Sequence, residues 1–162
     1  LYLSRQYGWN TVSLMPCNLY GTNDNYDPEN SHVFPAFVRR FVTAARENKT
    51  EEVLWGTGAP LREFLHVDDV ANAVYYFMQN HNDPEVVNIG SGSDITIREL
   101  AGKIAAAAGF RGEIRWDASR PDGMYRKLMD SSKARKLGWK PEITIDEGIR
   151  RTIQEYKDGI SK

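Results

Sequence analysis

Three polar stretches of this sequence, residues 16–32, 56–62 and 117–127, carry residue types that bind and transform small charged molecules. They hold Asn18, His32, Arg62, Arg120, Asp122, Arg126 and Lys127, and Trp55 stands just before the second. A phosphate-bearing ligand calls for guanidinium forks, and an aromatic base calls for a flat partner such as an indole. The first stretch opens the run PCNLYGTNDNYDPENSHVFP. Connections longer than about 12 residues are uncommon in compact domains and are mostly functional or disordered. Leu19, Tyr20, Tyr26 and Val33 give this one apolar anchors, which favours a binding loop.

The elements between these stretches must position them. Thr11 to Met15 reads as a short, fully buried strand. Phe34, Phe37, Val38, Phe41 and Ala45 recur at helical spacing, with Arg39, Arg40 and Arg46 on the opposite face. Val53 to Trp55 and Arg62 to Val67 read as strands. Asp68 or Asp69 then caps a helix whose inner face is Val70, Ala73, Val74, Phe77 and Met78. Val86 to Ile89 and Glu113 to Trp116 are further strands. Two Thr-x-x-Glu capping boxes, Thr96/Glu99 and Thr144/Glu147, open helices with Ile97, Leu100 and Ile104, and with Ile145, Ile149 and Ile153, turned inward. A short helix starts at Ser131 and stops at Gly138. Strands and helices alternate, so the class is α/β.

Composition narrows the function. The 162 residues are one domain's length, 41% hydrophobic and 27% charged, with a formal charge of −1 that supports neither a general nucleic-acid surface nor a membrane surface. No apolar run approaches the roughly 18 residues of a membrane span, and no signal-peptide pattern opens the chain. A single Cys leaves no internal disulfide and no multi-cysteine metal site. The cytoplasm is the expected compartment. Residues 1–8 read as the end of a helix closed by Gly8, and the chain is expected to be the C-terminal part of a larger protein.

Other conspicuous residues have ordinary readings. His66, inside a strand, reads as structural, and His81, between Asn80 and Asn82, as part of a solvated turn. The run Gly90-Ser-Gly-Ser93 reads as a strand-to-helix turn, because G-x-G without a third glycine is a weak phosphate signature. Trp116 and Trp139 read as core or loop anchors, Arg39 and Arg46 as a solvated helix face, and Cys17 as a small buried residue.

A resemblance sharpens this. The segments beginning Pro16-Cys-Asn-Leu-Tyr-Gly, Pro28-Glu-Asn-Ser-His, Trp55-Gly-Thr-Gly-Ala-Pro-Leu-Arg-Glu-Phe-Leu-His-Val-Asp-Asp, Asn88-Ile-Gly-Ser-Gly and Arg120-Pro-Asp-Gly follow one another in order, before the closing Leu137-Gly-Trp-Lys-Pro. Together they resemble the C-terminal portion of the GDP-L-fucose synthases, which are extended short-chain dehydrogenases/reductases. The REFLHVDD and LGWKP runs are shared widely among extended members. The PENSH and RPDG…RKLMD runs are more specific.

The resemblance implies an α/β fold: the substrate-binding portion of an extended short-chain dehydrogenase/reductase, with about residues 1–20 as the tail of a Rossmann domain whose remainder lies upstream. It implies conversion of GDP-4-keto-6-deoxy-D-mannose to GDP-L-fucose by epimerisation at C3 and C5 and reduction at C4 with NADPH. Hydrogens next to a ketone are acidic, and a side chain that titrates near neutrality suits their removal and return. His32 matches the acid/base histidine. Pro16, Cys17, Asn18, Leu19 and His32 match positions at the nicotinamide end of the cofactor. Arg40, Trp55, Arg62 and Asp122 match positions that contact the GDP-sugar, a guanidinium such as Arg62 suiting the diphosphate. The Gly-rich dinucleotide loop, the Tyr-x-x-x-Lys pair and a second epimerisation residue, a Cys that Cys17 does not match, are expected upstream; Tyr2 has Gln6 where that Lys would stand. The whole enzyme is expected to be a cytoplasmic homodimer, and these 162 residues alone inactive. Two readings stay open beside it: another nucleotide-sugar epimerase or dehydratase of the same superfamily, and a non-catalytic nucleotide-sugar binding module.

Overall fold

The computed structural model describes residues 2–160; Leu1, where the expected opening helix begins, lies outside them. In chain order the elements are α1 (Tyr2–Tyr7), β1 (Ser13–Pro16), β2 (Asn18–Tyr20), α2 (Val33–Arg46), β3 (Glu51–Trp55), β4 (Leu61–Arg62), β5 (Phe64–His66) and α3 (Val67–Asn80). There follow β6 (Val86–Ile89), β7 (Ile95–Thr96), α4 (Ile97–Ala108), β8 (Glu113–Asp117), β9 (Arg126–Lys127), α5 (Ser132–Lys136) and α6 (Ile145–Ile160). Among the described residues, no helix is long and apolar enough to cross a membrane.

The strands form small sheets. β1 runs parallel to β6 (Ser13↔Val86), β2 to β5 (Asn18↔Phe64) and β3 to β8 (Glu51↔Glu113). β4 lies between β7, antiparallel to it, and β9, parallel to it. Two apolar clusters hold these pairs. The first joins Phe34, Val38 and Phe41 of α2, Leu100 and Ile104 of α4, and Ile149 and Ile153 of α6 to Leu54, Tyr20 and Phe64 of the strands. The second joins Cys17, Leu65, Val87 and Ile89 to Ala73 and Phe77 of α3, with Ala134 and Trp139 closing over them.

Local chemistry sets the element ends. Thr96 Oγ1 accepts the Glu99 N–H at 3.0 Å while Glu99 Oε2 accepts the Thr96 N–H at 3.0 Å, the full reciprocal box. The left-handed Gly109 (φ 86°) stops α4. The second expected box is half formed. Thr144 Oγ1 accepts the Glu147 N–H at 3.3 Å, but the Glu147 carboxylate turns to Arg150 and Arg151, so its charge finds cations before backbone donors.

Several expectations are corrected. The strand predicted over 11–15 sits one or two residues later. It is half exposed rather than buried, because β6 is the sole strand paired with it among the described residues. The long first loop contains β2, so the irregular segment is residues 21–32. The strand predicted over 62–67 is two strands broken at Glu63. α3 buries Asp69, Ala73 and Phe77 and leaves Val74 and Met78 at 43% and 65% exposure. Neither Asp68 nor Asp69 caps it: His66 Nδ1 accepts the Asp68 N–H at 3.2 Å, while the Asp69 carboxylate accepts the N–H groups of Glu142 and Ile143 at 3.0 and 3.1 Å. His81 is half-buried against the Phe77 ring, centroids 5.8 Å apart, rather than solvated. Arg39 is likewise half-buried, and its Nε lacks a partner among the described residues. Trp139 is an anchor as expected, its indole N–H donating to Asn72 Oδ1 at 3.0 Å.

Candidate active site

β3 and β8 end side by side with Trp55 opposite Asp117, so the turns that follow them start together. They are then fastened. Gly56 N–H donates to Asp117 O at 2.9 Å, and Asp122 accepts the Thr57 N–H at 2.9 Å and the Thr57 hydroxyl at 2.5 Å. Those two donors hold the Asp122 carboxyl below its usual range, so it is ionised at neutral pH. Gly56 is left-handed (φ 81°), and a Cβ there would strike the Asp122 carboxylate, so the clasp needs glycine on both counts.

This clasp assembles a cationic and aromatic edge. Alternation along β3 buries Leu54 and turns Trp55 outward, 70% exposed. The Arg120 guanidinium lies 5.2 Å from the Trp55 ring centroid, within cation–π range, and 3.9 Å from the Asp117 carboxylate. β4 and β9 set Arg62 opposite Lys127. Arg62 donates to its neighbour Leu61 O at 2.8 Å, and a Cβ on Gly123 of the same clasped loop would lie 3.3 Å from its Nη2. An exposed indole with Arg120 over its ring can hold an aromatic ring, and the Arg62–Lys127 pair can hold an anion.

The first stretch reaches this edge through the backbone. β1 ends at Pro16, Cys17 N–H donates to Ile89 O at 3.0 Å, and β2 then pairs with β5, so the chain steps from one sheet to the next at Cys17. Asn18 Nδ2 donates to Glu63 O at 2.7 Å, one residue beyond Arg62. Leu19 is exposed at 38%. Burial, with Glu63 nearby, pushes the Cys17 thiol up to about 12, so it stays a neutral thiol, as a small buried residue should.

His32 stands at the start of α2, exposed, with its backbone extended at the cap and its imidazole free of any cap bond. Arg40, two turns on, is held elsewhere. Its Nε donates to Glu52 Oε1 at 2.6 Å and its Nη2 donates to Val53 O, tying α2 to β3. Trp55, Arg62 and Asp122 are therefore brought together, Asn18 adjoins them through Glu63, and Arg40 braces the strand beneath. Asp122 acts on Thr57 in this geometry, and Arg40 on Glu52.

Glu63 went unnoticed in the sequence. It is fully buried and accepts N–H bonds from Gly92 at 2.6 Å and Met129 at 3.0 Å, drawing the turn after β6 and the segment after β9 onto the break between β4 and β5. A buried carboxylate is tolerated only with such donors. A glutamate between Arg62 and Phe64 in a strand was the available signal. The Gly90–Ser93 turn is thus a structural turn, with a Cβ on Gly90 2.9 Å from the Glu63 carboxyl carbon.

Comparison with known proteins places this arrangement. The NAD dependent epimerase/dehydratase family matches residues 1–90. The chain is 52% identical over 155 residues to the probable GDP-L-fucose synthase 1 of Oryza sativa subsp. japonica, covering 96% of this chain and 47% of that protein. It is 46% identical over 162 residues to the GDP-L-fucose synthase of Escherichia coli K12, covering 94% of this chain and 50% of that protein. A crystal structure of a GDP-L-fucose synthetase from Naegleria fowleri bound to NADP is 28% identical, with a TM-score of 0.86, over 93% of this chain and 48% of that one. The chain spans about half the length of the curated relatives it matches. With the matched region reaching from α1 through the end of β6, more than half of the chain, the chain belongs to the NAD dependent epimerase/dehydratase family.

Proposed function

We propose that this chain is the substrate-binding part of an NADPH-dependent enzyme that epimerises and reduces GDP-4-keto-6-deoxy-D-mannose to GDP-L-fucose, with about residues 1–20 belonging to the dinucleotide-binding domain. The observation that carries the reading is the clasp between Thr57 and Asp122, which joins the turn after exposed Trp55 to the loop that carries Arg120, while β4 and β9 set Arg62 opposite Lys127. A nucleoside diphosphate needs this pairing of a flat ring with guanidinium and ammonium donors. Similarity to proteins named GDP-L-fucose synthase supports guanosine as the base and a deoxyhexose beyond the phosphates.

In this reading each side chain has a task. Arg62 holds the diphosphate, Trp55 shapes the wall against the base, and Asp122 keeps both loops in register through Thr57. Arg40 serves the GDP-sugar indirectly by fixing β3. His32, exposed and uncommitted, transfers the proton on one face of the carbon α to the ketone, and inversion needs a second acid/base group on the opposite face; such a transfer suits imidazole near neutral pH.

The residues fit the nicotinamide end of the cofactor. Pro16 closes a parallel strand and Cys17, Asn18 and Leu19 follow its carboxyl end, where such ligands gather, and they offer apolar surface, one amide and a neutral thiol. NADPH, when bound, supplies the hydride for C4.

A 4-epimerase or dehydratase needs no acid/base group at His32, so one variant separates the readings. In the whole enzyme, His32→Gln is expected to abolish solvent deuterium incorporation at C3 and C5 while NADPH binding persists. Wild-type exchange in that variant would remove His32 from the chemistry.

A further inference from the structure

The irregular segment 21–32 is held down at several points. Thr22 Oγ1 donates to Glu155 Oε1 of α6 at 2.9 Å, and the Tyr26 ring lies against Tyr156 with centroids 4.5 Å apart. Asp27 Oδ1 accepts the N–H groups of Glu29 and Asn30 at 2.9 and 2.8 Å, closing a turn just before His32. The segment begins with Gly21, which lies close under His66 and Val67, and with Asn23, a non-glycine in the left-handed region at φ 64°. A residue other than glycine adopts that conformation at a cost, and such strain persists only where surrounding contacts fix it.

What this conformation places inward is Asp24. Its N–H donates to Gly21 O at 3.2 Å, and its Oδ1 accepts the Asn25 N–H at 2.8 Å. Its Oδ2 is buried and has no hydrogen-bond partner among the described residues. An acceptor removed from water without a donor loses stabilisation that a solvated carboxylate keeps. Burial pushes the Asp24 carboxyl up, while the Asn25 N–H and the charge of His32 draw it back. Tyr26 faces the same carboxylate, with Glu155 and Tyr156 beyond it, and its hydroxyl is pushed up to about 12 by burial and these neighbours, so it offers no competing charge at neutral pH.

An orphaned carboxylate oxygen and an imidazole with no side-chain bond thus share one short segment. We infer that Asp24 is the positioning residue for His32: its free Oδ2 accepts one ring N–H when the imidazole turns inward, which fixes ring orientation and tautomer and leaves the other ring nitrogen to face the substrate. The arrangement follows the general logic of a base oriented by a third group. The proton that His32 exchanges with substrate enters and leaves through the outward nitrogen, while the ring N–H facing Asp24 stays in place. This inference rests on the proposed role of His32 and adds its partner.

Two measurements decide it. In the 162-residue chain, carbon-13 NMR follows the titration of the Asp24 carboxyl, assigned through its own backbone and Cβ resonances. Replacing His32 by Gln, an exposed change, is expected to raise the Asp24 midpoint, because a cationic neighbour is lost; an unmoved midpoint overturns the pairing even if Asp24 variants fail to fold. In the whole enzyme, Asp24→Asn is expected to lower kcat for deuterium exchange by at least about tenfold, the scale of a lost orienting partner, with KM nearly unchanged and Asp24→Glu partly restoring the rate. Wild-type exchange in Asp24→Asn beside an inactive His32→Gln overturns this inference and leaves the function standing. Wild-type exchange in His32→Gln overturns both.

Discussion

Individual side chains at the clasped edge divide into those that hold loops and those left free to hold a ligand. Asp122 and Arg40 already have partners, whereas Arg62 makes one bond to its own neighbour's carbonyl and keeps its remaining donors. Trp55 has one face shared with Arg120 and remains 70% exposed. Arg62→Ala is therefore expected to weaken GDP binding to the whole enzyme by about 1.5–3 kcal/mol, the range for hydrogen bonds to charged groups. Trp55→Ala is expected to weaken it as well. Titration calorimetry checks both, and unchanged affinity in either variant removes that residue from the site. Arg120 gives the comparison an internal reference: its guanidinium must share Trp55 with any stacked base, so Arg120→Ala leaves the indole open and separates loss of charge from loss of the ring.

Helices and strands decide what such side chains can reach, and the two kinds of element were not equally legible. α4 could be read in full: Thr96 and Glu99 mark its start, Gly109 its stop, and Leu100, Ala101 and Ile104 its buried face. Thr96→Ala should cost about 0.5–2 kcal/mol of stability, because it removes the acceptor for the Glu99 N–H and breaks the box. Urea denaturation of the chain measures this; an unchanged midpoint would mean that the cap is compensated by water. α2 was equally readable from Phe34, Phe37, Val38 and Phe41. β2 was not, because its three residues sit in an Asn- and Gly-rich run and owe their extended form to β5, far along the chain. Spacing located the apolar positions of α3 but not which of them are covered, since that depends on what lies opposite Val74 and Met78. At the site, Trp55, Arg62 and Asp122 were recognisable by type and by resemblance. That Asp122 would engage Thr57, and that Glu63 would gather two turns, required the fold, because both roles consist of bonds to distant backbone N–H groups.

Across the whole molecule, the two apolar clusters meet where the chain passes from Cys17 to Tyr20, and both of those groups are neutral acids kept from water. Burial pushes the Cys17 thiol from 9.0 up to about 12 and raises the Tyr20 hydroxyl too. Tyr26, against α6, rises from 10.0 to about 12 for the same first cause. In the unfolded chain these protons leave at ordinary values, so above about pH 9 the folded state binds more protons than the unfolded one, and stability falls as pH rises. The stabilisation is complete below the unfolded values and is lost as pH climbs through the folded ones. The carboxylates behave oppositely: hydrogen bonds hold Asp94, Asp117 and Asp122 below their usual range, so their contribution is present at neutral pH and fades as acid protonates them. They are exposed and their share is small, which makes the alkaline limb the steeper one. The urea midpoint of the chain, followed by far-ultraviolet circular dichroism, is expected to hold level near neutrality and to drop between about pH 9 and pH 11. Tyr26→Phe keeps the ring against Tyr156 and removes the ionisable hydroxyl, so it is expected to recover part of that loss while leaving the neutral midpoint nearly unchanged. A wild-type midpoint that stays level through the alkaline range, or a Tyr26→Phe curve that overlays it, would mean that Tyr26 opens to water before it ionises and that α6 releases the loop beside His32 well before the molecule unfolds.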